Sequence, residues 1–225
     1  NGRPWQDSGL REATLAFRLR ADGDEPALAL WFGGRDPRDP SHGFARLEIA
    51  PRALRFNGLS YPLASLAEGL HELRLRFDFR RDTLEALLDG QQVFAGAPLA
   101  TTREFRFQPQ LVLRAGGAAA AELLLSDLSG RVVMPDEAGG EPESFTVLHE
   151  DFERYDGRLN ALDSCWRLPF GAAQERRVGV EAAGPADKAV RIASEAGRPL
   201  QVALPFSLPD TVPFDVSDQC FTIDN

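Results

Sequence analysis

The chain has 225 residues, 43% of them hydrophobic and 26% charged, which is enough apolar material for one full domain core and part of a second. A formal charge of −9 and a pI near 4.9 argue against nucleic acid and anionic membranes as partners, because an acidic surface repels phosphate. No apolar run approaches the ~20 residues needed to cross a bilayer as a helix, so membrane insertion is not expected.

Period-two alternation starts at once. In Thr14-Leu15-Ala16-Phe17-Arg18-Leu19-Arg20 the apolar Leu15, Phe17 and Leu19 face one way and Arg18 and Arg20 the other. In Ala27-Leu28-Ala29-Leu30-Trp31-Phe32 the core positions are Leu28, Leu30 and Phe32. That leaves Trp31 on the opposite face, flanked by the small Ala27 and Ala29. The next segment, Asp36-Pro37-Arg38-Asp39-Pro40-Ser41-His42, reads as a loop. Its carboxylates Asp36 and Asp39 are hard oxygen donors of the kind calcium prefers, although Asp before Pro is also ordinary turn chemistry.

From His71 the alternation returns, with Leu73, Leu75, Phe77 and Phe79 inward and Glu72, Arg74, Arg76 and Asp78 outward. Leu84 to Phe94 carries the sharpest local signal. Asp89-Gly90 between two apolar strands suits a type I′ hairpin, whose two turn residues both need positive φ. Phe105, Phe107, Leu111 and Leu113 extend the pattern. Ala118 to Leu125 has helix propensity, yet Glu122–Val133 is read as a strand that closes the sheet. Strand-length runs parted by Gly, Pro and Asp turns point to an all-β, antiparallel sandwich.

Residues 134–144 (MPDEAGGEPES) are polar, rich in Gly and Pro and without apolar periodicity, so they read as a linker. A new strand-rich unit is expected from Phe145 onward. Gly2-Arg3-Pro4-Trp5-Gln6 returns as Gly197-Arg198-Pro199-Leu200-Gln201, and Thr14-Leu15-Ala16-Phe17 as Thr211-Val212-Pro213-Phe214. Both recurrences lie about 195 residues on, as in a tandem array. On that reading 1–133 is a sandwich lacking its opening strands, and 145–225 holds the opening strands of a second, truncated repeat.

Asp151-Phe152-Glu153-Arg154-Tyr155-Asp156-Gly157 followed by Cys165-Trp166 resembles the opening of laminin G-like jelly rolls in bacterial secreted proteins. Asp187-Lys188-Ala189-Val190-Arg191-Ile192 resembles the strand that usually follows. His71-Glu72-Leu73-Arg74-Leu75 through Leu88-Asp89-Gly90 resembles a hairpin of the same concanavalin A-like superfamily, with His71 where tryptophan is frequent. The resemblance implies two curved antiparallel sheets in a jelly roll, an extracellular or cell-surface setting, and ligands on a sheet face or at the rim. It also makes calcium at the rim, through Asp36 and Asp39, a possible cofactor. No other cofactor is implied.

The same superfamily holds glycoside hydrolases, whose strand pattern E-x-D-x-x-E aims three acids into a cleft. That pattern is absent. Glu150 and Glu153 have the wrong phase for one face of a strand and read as a solvated domain entrance. His42, His71 and His149 come without a G-x-S-x-G nucleophile elbow. The expectation is therefore a chain that is not an enzyme: a binding or adhesion module for glycan or a cell-surface protein.

The candidate contact residues are Trp31, on which a sugar could stack, and Arg18, Arg20, Arg74 and Arg76, which could pair with uronate or sulfate. The plainer alternative is a solvated sheet whose arginines meet Glu72 and Asp78 across strands. A structural spacer and a diverged glycosidase remain as other functions. Cys165 and Cys220 are open between a disulfide and two thiols. Lys188 is the single lysine among 25 cations, which fits a GC-rich genome. The chain opens on Asn1 with no signal-peptide pattern, so it is expected to be cut from a longer protein.

Overall fold

The computed structural model describes residues 12–22, 28–32, 45–99, 110–115, 120–134, 140–153, 155, 178–184, 187–196 and 200–205. They form fourteen strands and no helix. In chain order these are β1 (Glu12–Asp22), β2 (Leu28–Phe32), β3 (Ala45–Ala50), β4 (Ala53–Phe56), β5 (Leu59–Pro62), β6 (His71–Asp78) and β7 (Thr83–Leu88). There follow β8 (Gln91–Pro98), β9 (Gln110–Ala115), β10 (Glu122–Met134), β11 (Glu143–Glu150), β12 (Val178–Ala182), β13 (Lys188–Ala193) and β14 (Leu200–Pro205).

Two antiparallel sheets result, as alternating sequences require when one face of each is apolar. The larger has eight strands in the order β12-β13-β10-β1-β6-β7-β8, with β11 also pairing β10. The smaller has six, β14-β9-β2-β3-β4-β5. The chain is an all-β antiparallel jelly-roll sandwich. Its core joins Leu15, Phe17, Leu19, Leu73, Leu75, Phe77, Leu123 and Leu125 of the larger sheet to Leu47, Ile49, Leu54 and Phe56 of the smaller. Phe94 of β8 stacks on Phe56 at 6.0 Å and on Tyr61 at 4.4 Å, so aromatic contacts tie one sheet edge to the other.

The expected turn is present. Asp89 has φ of 50° and Gly90 of 76°, the two positive values a type I′ hairpin demands. No atom would meet a Cβ at Gly90, so the cost of a side chain there is torsional alone. Gly90→Ala should lower stability by about 1–2 kcal/mol in a thermal melt; an unchanged melt would show that the turn adopts another form.

Ala120 and Ala121 lead directly into β10 in spite of their helix propensity. Burial of Leu123, Leu125, Leu128 and Val132 against the core outweighs the weak local preference. The strand is no edge: β1 pairs it on one side, and β13 and β11 divide the other side between them.

Residues 134–144, expected as a linker between two units, begin and end in paired strands. Met134 pairs with Glu143, so both ends of that stretch belong to the antiparallel pair β10–β11. Ile192 pairs with Leu123 and Val190 with Leu125, while Val202 of β14 pairs with Leu113 of β9. The later strands thus add to both sheets of the sandwich begun by residues 12–134. The physical reason is the row of unpaired N–H and C=O groups that β10 and β9 would otherwise present. Of the sequence recurrences, residues 2–6, 197–199 and 211–214 lie outside the described residues.

Candidate functional site

On the outer face of the larger sheet, charged side chains alternate with the buried apolar ones of the core. Burial alternates along β1, with Ala13, Leu15, Phe17, Leu19 and Ala21 buried and the residues between them half-buried. Arg18 and Arg20 are therefore outward. On β6 the exposed Arg74 and Arg76 share that face, since Arg18 is registered against Glu72, Ala16 against Arg74 and Thr14 against Arg76. The four arginines singled out by the sequence do stand on one surface.

Each of them is answered by a carboxylate. Arg18 Nη1 donates to Asp127 Oδ2 at 2.9 Å and to Asp187 Oδ2 at 3.1 Å. Hydrogen bonding to Asp127 and then to Asp187 raises the guanidinium further above its ordinary value, against a smaller opposing effect of burial. Arg20 donates to Glu122 Oε1 at 2.5 Å, and Arg191 of β13 donates to Glu122 Oε2 at 2.5 Å. Arg74 meets Glu72 on its own strand at 2.6 Å, and Arg76 lies 3.5 Å from Glu12 and 3.9 Å from Glu85. The plainer reading has the arginines meeting Glu72 and Asp78 across strands; here Arg74 meets Glu72 within β6, and Arg76 faces Glu12 and Glu85 on the neighbouring strands.

Two of these carboxylates owe their position to local backbone. Opposite Phe17 the ladder slips, because Ala16 is registered against Ser129 but Arg18 against Ser126. Two residues of β10, Asp127 and Leu128, thus oppose one of β1, which is a β-bulge. Asp127 takes φ of 51°, a conformation aspartate tolerates better than most residues. Asp187 stands directly before β13, and its backbone oxygen accepts from the Ala183 amide at 2.8 Å.

Glu122 is held below the usual carboxylate range. Burial opposes its ionisation, but hydrogen bonds from Arg191 and Arg20, and their charge, outweigh that. Ser126, registered against Arg18, is fully buried, and its hydroxyl has no hydrogen-bond partner among the described residues. Leu123 and Leu125 belong to the core cluster, which puts Ser126 on the side of Arg18, its partner across the ladder.

Trp31 is elsewhere. It lies on β2 in the smaller sheet, registered against Arg46 and Gln110. The arginines and Trp31 belong to different sheets and do not form one site. Asp36, Asp39, Cys165 and Cys220 lie outside the described residues, as do Phe105 and Phe107. Among the described residues no group of three or more His, Cys, Asp or Glu is placed to hold a metal ion.

Glu150 departs from its sequence reading as a solvated residue. It is buried, its Oε1 accepting from the Phe152 amide and its Oε2 from the Tyr155 hydroxyl, both at 3.1 Å. Those bonds fold the segment after β11 so that Phe152 and Tyr155 enter the core. Glu153 accepts from the Lys188 amide at 2.8 Å, while Lys188 Nζ donates to the Glu153 and Tyr155 carbonyl oxygens. Glu153 and Tyr155 of the resemblance motif thus clasp Lys188 at the start of β13.

No known family model matches the chain, and no curated protein matches it. Solved structures do. The laminarinase catalytic domain of Thermotoga maritima MSB8 is 17% identical, with 60% of each chain covered and a TM-score of 0.31. The catalytic domain of an endo-1,3-beta-glucanase from Thermotoga petrophila RKU-1 is 16% identical, with 60% of each covered and a TM-score of 0.29. The Crh5 transglycosylase is 11% identical over 89% of this chain and 65% of that one, at a TM-score of 0.31. The chain spans 60% of the length of each glucanase domain it matches.

The expectation that the chain is not an enzyme is corrected here: the three solved structures named above are of enzymes. A missing E-x-D-x-x-E strand is no ground for excluding catalysis from such a sandwich.

Proposed function

We propose that the outer face of the larger sheet binds a neutral, hydroxyl-rich glycan, as part of an extracytoplasmic protein. The observation that supports this reading is the lattice around Arg18 and Glu122, in which guanidinium and carboxylate groups fix one another while remaining partly open to solvent. Groups already held in place offer their remaining lone pairs and N–H donors with little further loss of side-chain freedom. Sugar hydroxyls donate and accept at once, which suits a lattice of both kinds.

The same lattice disfavours a uronate or sulfate. Such an anion would have to displace Asp127, Asp187 or Glu122 from their arginines, on a chain whose formal charge is −9.

Calorimetry with soluble 1,3-β-glucan, xylan and polygalacturonate tests this. A neutral polymer should bind, and Arg18→Met should weaken it by about tenfold, the worth of one hydrogen bond to a charged group. Tighter binding of polygalacturonate would overturn the assignment. New reducing ends in the same mixtures would make the face hydrolytic. The saturation of the arginines favours a second reading, a structural spacer, on which Arg18→Met alters stability and nothing else.

A further inference from the structure

Arg18 is bonded through one nitrogen only. Its Nη1 donates to Asp127 Oδ2 at 2.9 Å and to Asp187 Oδ2 at 3.1 Å. A guanidinium carries N–H donors on Nη2 and Nε as well, and these meet no acceptor among the described residues. Each aspartate likewise binds through a single oxygen. Oδ1 of Asp127 and Oδ1 of Asp187 accept no hydrogen bond among the described residues. The side chains remain partly open to water, Arg18 at 36% and both aspartates at 43%.

Three separated elements bring these groups together. Alternation through the core residues Leu123 and Leu125 would turn residue 127 inward, but the bulge and the positive φ of Asp127 turn it out to Arg18. Asp187 reaches the same nitrogen from the position before β13. Ser126, registered against Arg18, marks the same spot with a fully buried hydroxyl that lacks a partner among the described residues, a rarity in folded chains. It is a marker and not a contact, since a sugar does not reach a fully buried atom.

We infer that this cluster recognises a vicinal diol, two free hydroxyls on adjacent ring carbons, and that the glycan of this face is a neutral 1,4-linked polymer. The inference rests on the glycan reading of the same face and names its substrate class. A sugar hydroxyl donates one hydrogen and accepts on its oxygen. A lone hydroxyl engages one aspartate and one guanidinium N–H. A second hydroxyl on the next carbon is already oriented by the first, so it engages the other aspartate with little further loss of freedom. Linkage decides which polymers present such a pair. A 1,4-linked pyranose keeps its 2- and 3-hydroxyls free on adjacent carbons. A 1,3-linked pyranose has its 3-hydroxyl in the linkage, and its free 2- and 4-hydroxyls are not neighbours.

Calorimetry on the parent chain compares xylan, which is 1,4-linked, with 1,3-β-glucan. Xylan is expected to bind about tenfold more tightly, the worth of one further hydrogen bond to a charged group. Periodate cleaves the bond between the two carbons of a vicinal diol, so treated xylan should lose that advantage while 1,3-β-glucan is unaltered. Asp127→Asn keeps a residue that tolerates the positive φ, and Asp187→Asn keeps the same shape. In each the amide oxygen stays with Arg18 and the NH2 faces outward, so a free acceptor becomes a donor and the preference for xylan should disappear. The periodate comparison needs no variant and stands even where a variant fails to fold. Equal affinities for xylan and 1,3-β-glucan, or a preference that survives periodate or both aspartate changes, would overturn the diol assignment and leave the glycan reading in place. No binding of either polymer would end both.

Discussion

Phe17→Ala is expected to destabilise the fold by about 3–5 kcal/mol, the cost of removing a buried phenylalanine from a packed core. Phe17 is 1% exposed and lies in the core cluster, at the point where β10 sets two residues against one. Its loss empties the space behind the bulge, and the bulge turns Asp127 toward Arg18. Urea unfolding at 25 °C measures the loss directly. A change under about 1 kcal/mol would mean that the core collapses around the site, and that Phe17 is not the residue that fixes this part of the sheet.

Glu122→Ala is the second large effect, an expected loss of about 2–3 kcal/mol at pH 7, because two guanidinium groups then converge without the carboxylate that satisfies both. The pH dependence gives an internal check. Glu122 is ionised more easily in the folded chain than at its ordinary value of 4.5. A carboxylate lowered in this way contributes stability above that value, and the contribution disappears as pH falls through the lower folded value. The parent and Glu122→Ala should therefore differ at pH 7 and draw together on acidification below 4.5. Curves that stay parallel down to pH 2 would show that the loss comes from packing and not from charge.

Much of this surface is legible in the chain. Alternation in 14–20 and 71–79 places Arg18, Arg20, Arg74 and Arg76 outward, because a strand with one buried face leaves its alternate positions no other side. Their partners were not foreseen. Glu122, Asp127, Asp187 and Arg191 come from strands and loops far along the chain, and no spacing rule links residue 18 to residue 187. One signal was available for Asp127. The apolar phase of β10 runs through Leu123 and Leu125 and then slips to Leu128, which is how a bulge looks in sequence. The burial of Glu150 is hidden from the sequence for a related reason: a carboxylate beside Asp and Glu looks solvated, and only the fold brings the Tyr155 hydroxyl and the Phe152 amide to it.

The sequence alone determined what is local. Strand periodicity, the outward arginines and the Asp89-Gly90 turn each depend on residues within a few positions of one another, where backbone geometry leaves little choice. Tertiary structure decided which strands are neighbours. It set Trp31 and the arginines on different sheets, placed β13 and β14 against strands from before residue 134, and matched every outward arginine of β1 and β6 with an acid. Pairing across a sheet depends on which open edge a strand meets, and that depends on the path of the whole chain.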